Sequence, residues 1–173
     1  MILTITSHAD LQQYLDAIET ATETAVNALA TAGSPREALR RMKFEQIGRH
    51  PIEKDRPLNL IEQINQTFTF LVALKAAEWL LVQHPEAGGF HLAPGASMAL
   101  PFDIMSVQTG LVNAETFAAT HPGSNRKLIN DLAKLGASTA RFRYAFFYAP
   151  NFPAGRVQKL ESVTGVEVHC VDI

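Results

Sequence analysis

Two carboxylates interrupt apolar, strand-like runs near the middle of this sequence. Asp103 lies in "PFDIMSV" and Glu115 in "VNAETFAA". An ionised group inside a strand is unfavourable unless something pairs it or uses it. Only a few turn residues separate the two runs, so the strands should pair and bring the carboxylates together. Two carboxylates and a main-chain carbonyl make a hard oxygen site, of the kind Mg²⁺ takes while keeping several waters. A metal held there can generate a hydroxide nucleophile and stabilise charge building up on a phosphodiester. Taken singly, each acid has a plainer reading, a solvated group on a half-buried strand.

Other chemistries find little support. The histidines at 8, 50, 84, 91, 121 and 169 show neither HxH nor HExxH spacing, which argues against a histidine–metal centre. Cys170 is the only cysteine, so there is no disulfide framework and no cysteine zinc site. "GSNRKL" is not a phosphate loop, no GxGxxG follows a strand, and Ser97, Ser106 and Ser124 lack a GxSxG context. Arg143 and Tyr144 in "FRYAFFY" could stack on bases, although so apolar a run reads first as core strand.

The elements that must position Asp103 and Glu115 can be read from periodicity. "ADLQQYLDAIETATETAVNALATAG" has helical spacing at Leu11, Leu15, Ile18, Ala25 and Leu29. "SPRE" opens a second helix, with Ser34 capping, Pro35 in the first turn and Glu37 completing a capping box. "HPIEKDRPLN" reads as a linker. "NLIEQINQTFTFLVALKAAEWLLVQHP" is a buried helix capped by Asn59, with Ile61, Ile64, Phe68, Leu71, Val72 and Leu80 as its apolar stripe. "GFHLA", followed by a "PGAS" turn, then "PFDIMSV" and "LVNAETFAA" predict a three-stranded antiparallel meander. "PGSNRKLINDLAKLG" predicts a turn and a helix with Leu128, Leu132 and Leu135 inward. "ARFRYAFFYAP" is a strand, Pro153 starts a short helix through Val157 and Leu160, and Val166 to Asp172 is a last strand. The two crossovers imply an α/β fold, with a partly parallel sheet flanked by helices. The reading divides the chain into an N-terminal helical extension, 1–58, and an α/β core, 59–173.

The 173 residues are 47% hydrophobic and carry a formal charge of −2. That is enough to bury a core, and it excludes both a charged disordered chain and a uniformly basic one. The bases are uneven, however. None lies between Lys75 and Arg126; then Arg126, Lys127, Lys134, Arg141, Arg143, Arg156 and Lys159 follow with only Asp131 among them. A basic face in the last third is one reading; scattered solvated charge is the other. "MILTITSHAD" lacks the features of a signal peptide, and the most apolar helix is broken by Lys75 and Glu78. A cytoplasmic protein with no membrane span is expected.

With "PFD" on one strand and Glu115 on the next, the order of elements resembles the PD-(D/E)XK nuclease superfamily, whose fold is called restriction-endonuclease-like. Its core of helix, three-stranded meander, helix and strand corresponds to Asn59 through about Tyr148. Asp103 matches the family aspartate, with Pro101 displaced by one position, and Glu115 matches the second acid. The resemblance implies a Mg²⁺-dependent nuclease that hydrolyses nucleic acid, with DNA favoured. It also implies metal ligands in Asp103 and Glu115, joined by Glu62 on the first core helix, near Gln66. The family lysine should stand two residues after Glu115, on the same strand face. Phe117 stands there instead. Lys127, at the start of the next helix, is the leading substitute, and Lys75 the second. Arg126, Arg141 and Arg143 would hold the phosphate backbone. The alternative is a non-catalytic relative, a binding or assembly module whose N-terminal helices could pair two copies into a homodimer.

Overall fold

The computed structural model describes residues 1–95 and 99–173. Ser97 and part of the "PGAS" turn lie outside them. The chain opens with β1 (Leu3–Ile5), α1 (His8–Ala30) and α2 (Pro35–Phe44), then β2 (Gly48–Arg49) and β3 (Pro57–Leu58). Next come α3 (Leu60–Gln83), β4 (Phe90–Leu92), β5 (Ile104–Ser106) and β6 (Val112–Ala118). It ends with α4 (Lys127–Gly136), β7 (Phe142–Tyr148), β8 (Gly155–Arg156) and β9 (Glu167–Cys170).

The fold is α/β, with a mixed seven-stranded sheet in the order β1-β4-β5-β6-β7-β9-β8. The pairs β1–β4, β4–β5 and β5–β6 are antiparallel. Strands β6, β7 and β9 are parallel, and β8 returns antiparallel at the edge. The meander and the α4 crossover therefore form as the spacing predicts. The two central strands are buried on both faces, as parallel strands between helical layers usually are. On one face Val112, Ala114, Tyr144 and Phe146 pack with α1 and α3. On the other, Phe117, Ala145 and Phe147 pack with Leu128, Leu132 and Leu135 of α4. Each of those leucines contributes about 2 kcal/mol by burial, and truncating Leu132 to alanine would cost about 2–5 kcal/mol.

The helix starts are specified locally. Ser7 accepts from the Asp10 amide, and the Asp10 carboxylate accepts from the amides of Thr6 and Ser7. Ser34 accepts from the Glu37 amide, but the Glu37 carboxylate takes the amide of Gly33, one residue outside the expected box. Asn59 caps α3 through the amide of Glu62.

Several expectations change. Leu3–Ile5, not read as a strand, pairs with β4. The expected linker contains the short β2–β3 pair. The "PFDIMSV" strand contracts to Ile104–Ser106, leaving Asp103 just before it. The helix expected after Pro153 is replaced by β8 and a single 3₁₀ turn at Gln158–Leu160, because Gly155 takes a φ of +121° that no helix accommodates. In α3, Ile61, Ile64 and Phe68 face outward, while Val72, Ala73, Ala76, Ala77 and Leu80 are buried. Among the described residues, no helix is long and apolar enough to cross a membrane.

Candidate functional site

The residue before β5, the middle of β6 and one side of α4 bring five charged groups together. Register places Ile104 opposite Ala114, so Asp103, one residue earlier, comes alongside the next residue of β6, Glu115. Both acids are buried. The Asp103 Oδ2 accepts from the Thr116 amide at 2.9 Å and from its hydroxyl at 3.1 Å. These bonds fix the carboxylate where β5 gives out, and Oδ1 has no hydrogen-bond partner among the described residues.

Glu115 points to the α4 side of the sheet. Lys134 Nζ lies 2.5 Å from its Oε1, and Lys127 Nζ lies 3.8 Å from its Oε2. Lys127 also donates to Asp131 Oδ1 at 2.6 Å. The Asp131 side chain is only 5% exposed, and its Oδ2 is buried without a hydrogen-bond partner. Helical spacing explains the convergence. Lys127, Asp131 and Lys134 are four and three residues apart, so they share one side of α4 above β6.

Three carboxylates against two ammonium groups leave an excess of negative charge, and the acids respond to it. Burial, reinforced by the charge of Glu115, pushes Asp103 up to about 6 despite the Thr116 bonds and Lys127. Burial also lifts Asp131 to about 6, against the pull of Lys127. Burial works to lower Lys127, but its bond to Asp131 and the charges of Asp131, Asp103 and Glu115 outweigh that and raise it. Lys127 is therefore a firmly held cation, suited to balancing anionic charge rather than to taking up a proton.

Asp103, Thr116, Phe117 and Lys127 open onto a cleft of about 380 Å³, which Asn125 and Asn130 also line. It lies towards the carboxyl end of β6, the usual side for ligands in α/β sheets. Phe117 is on the same face as Glu115, as strand alternation requires, and is filled in by apolar packing. It stacks on Phe147, with ring centroids 5.8 Å apart.

The remaining candidates scatter. Glu62 is exposed in the first turn of α3 and forms neither a hydrogen bond nor an ion pair with Asp103, Glu115 or the lysines. Gln66 lines a separate cavity with His50 and Glu53. Lys75 pairs with Glu78 and borders another cavity beside Trp79. Arg126 is exposed next to the cleft, with φ +56°. Arg141 and Arg143 lie at the start of β7, about 20 Å of strand away from its far end. Arg143 donates to the carbonyls of Gly136 and Thr164, and Arg141 sits over the Phe142 ring. Tyr144 is buried and its hydroxyl meets His84 Nε2 at 2.8 Å, so neither it nor Arg143 offers a stacking face. Arg156 is paired with Glu161 and Glu167. Arg141, Arg143 and Arg156 thus have partners within the chain.

Sequence reading passed over Asp131 and Lys134. A signal for Asp131 exists: it falls inside the stripe Leu128, Leu132, Leu135, where an acid has no reason to be unless it is paired. In comparisons with protein-family models, curated proteins and solved structures, nothing matches the chain.

Proposed function

We propose that this chain is a PD-(D/E)XK-type, Mg²⁺-dependent phosphodiester hydrolase acting on nucleic acid, with the motif lysine supplied by Lys127 of α4. One observation carries the reading. Lys127 Nζ comes within 3.8 Å of Glu115 from the neighbouring helix and lines the same cleft as Asp103. The succession α3, β4-β5-β6, α4, β7 supports a restriction-endonuclease-like core for it.

The donor set suits Mg²⁺ within limits. Among the described residues there is no cluster of three or more His, Cys, Asp or Glu arranged to enclose a metal. Mg²⁺ does not need one, since it is commonly held by one or two carboxylates and completed by waters and substrate phosphate. Asp103, through Oδ1, and Glu115 would hold it. When bound, such an ion supplies an activated water and stabilises the charge of the displaced oxygen. Thr116 holds Asp103 in place, Asp131 holds Lys127, and the Lys127 ammonium faces the scissile phosphate and offsets its charge. Lys134, with Lys127 at longer range, balances the Glu115 charge.

That last contact favours a second reading. Lys134 pairs with Glu115 at 2.5 Å, and Phe117 fills the lysine position with apolar packing. A non-catalytic binding or assembly module would be built this way. A divalent-metal titration over mixed single- and double-stranded DNA and RNA separates the two. The hydrolase should cleave with Mg²⁺, and Asp103→Asn and Glu115→Gln should each abolish cleavage with circular dichroism unchanged. Lys127→Met should lower it by about 100-fold or more, the scale of losing one charge-stabilising group. Equal cleavage by wild type and the acid variants, or none by any, leaves the module.

A further inference from the structure

Beside the cleft lies a second, mostly apolar recess of about 350 Å³, bordered by Phe68, Tyr148, Pro150 and Asn65. The two share Thr69, Ala118 and Ala119 as a common wall, so they form one continuous surface. Phe68 and Tyr148 are near-parallel, with ring centroids 6.3 Å apart and an angle of 14° between planes. Phe68 is 38% exposed, although it belongs to the most apolar helix of the fold. A partly exposed ring beside a half-buried one, at the edge of a polar cleft, is a surface on which something flat and apolar can be received.

We propose that Phe68 and Tyr148 form a stacking shelf for an unpaired base of single-stranded nucleic acid whose phosphate backbone enters the Asp103–Lys127 cleft. This rests on the nucleic-acid reading above and names its substrate class. Stacking on aromatic faces accepts any base, because every base has a π face. A paired base in a duplex cannot present that face without leaving its stack. The polar surroundings fit the same ligand. Asn65 lines the recess, Asn125 and Asn130 line the cleft, and Lys127 with exposed Arg126 are the cations beside it that a phosphate could meet. Tyr148 ends β7, next to the carboxyl end of β6 where the cleft opens, so a strand lying across these ends meets shelf and cleft in succession.

The test is binding in EDTA, which separates it from cleavage. A labelled oligothymidine of about 12 nucleotides, within the range such surfaces hold, is titrated by anisotropy beside a duplex of equal length. The single strand should bind more tightly. Phe68→Leu and Tyr148→Leu should each weaken it by about tenfold with unchanged melting curves, while Tyr148→Phe keeps the affinity. A 2-aminopurine in the strand should be quenched by wild type, a readout that needs no variant. Equal affinity of wild type and both leucine variants, or no quenching, overturns the shelf. If the duplex still binds in that case, the nucleic-acid reading stands without it. If wild type binds neither strand form, that reading falls and the shelf with it.

Discussion

Phe117 decides where a lysine can come from. Its ring packs with Leu128, Leu132 and Phe147, and it is 7% exposed. Writing the family pattern back in would therefore fail. Phe117→Lys puts an ammonium into an apolar slot and removes a buried ring, each costing several kcal/mol. We expect a drop in melting temperature of about 10 °C or more and no gain in Mg²⁺-dependent cleavage, both measurable on one preparation. A stable Phe117→Lys variant with raised activity would show that the slot is catalytic after all. The pair Asp103 and Glu115 was legible because each acid broke an apolar run. Lys127 was legible only as one charged residue of a first helical turn. Its inward setting depends on Asp131, and no local pattern around Lys127 itself announces that contact.

At the scale of elements, the extents and starts of the helices were readable, and the buried face was legible for α1 but only in part for α3. Helix α1 buries Leu11, Ile18 and Ala25 of the predicted stripe, with Ala21 beside them, and half-buries Leu15 and Leu29. Helix α3 is apolar over so wide an arc, interrupted by few polar residues beyond its first turns, that its period could not choose a face. The small side chains Ala73, Ala76 and Ala77 won because they let the helix lie close to the sheet, leaving Ile61, Ile64 and Phe68 outward. Strand β1 was missed because three residues give no measurable alternation. What ties α3 to the N-terminal elements is polar. Gln63 accepts from the Arg49 amide of β2 at 2.9 Å and donates to the Ala21 carbonyl of α1 at 3.0 Å. Gly48 is required there, since a Cβ would come 2.1 Å from Gln63 Oε1. Gln63→Met fills the space but strands the Arg49 amide, so we expect a loss of about 1–3 kcal/mol in urea unfolding. Loss of amide protection should centre on Arg49. A change under 0.5 kcal/mol would mean the bridge is dispensable.

For the whole molecule, the two lifted carboxylates make stability depend on acidity in an unusual direction. Asp103 and Asp131 both titrate near 6 when folded and near 4 when unfolded. The native state therefore binds more protons than the unfolded state between those values. The contribution of these groups is greatest below about pH 4 and is lost as pH rises through about 6. Asp103→Asn keeps an acceptor for Thr116 without the buried charge. It should stabilise the protein by about 2 kcal/mol at pH 7, or about 5 °C, and by almost nothing at pH 4. Thermal melts of both proteins across that range check it; a variant less stable at pH 7 would show that Asp103 is satisfied as an anion. Stability sacrificed at the cleft fits a carboxylate retained for what it binds.

The sheet also has a consequence for how copies of the chain can meet. Its central strands are seven residues long, but the outermost, β1 and β8, have three and two. Arg156 of β8 is further tethered to Glu161 and Glu167. Such short borders offer a neighbouring chain too few free amides and carbonyls to extend the ladder, which guards against fibril-like growth. Concentrated solutions should accordingly resist cross-β aggregation. Any association between copies is directed to the helical sides, where Leu39 and Phe44 of α2 stand 67% and 76% exposed.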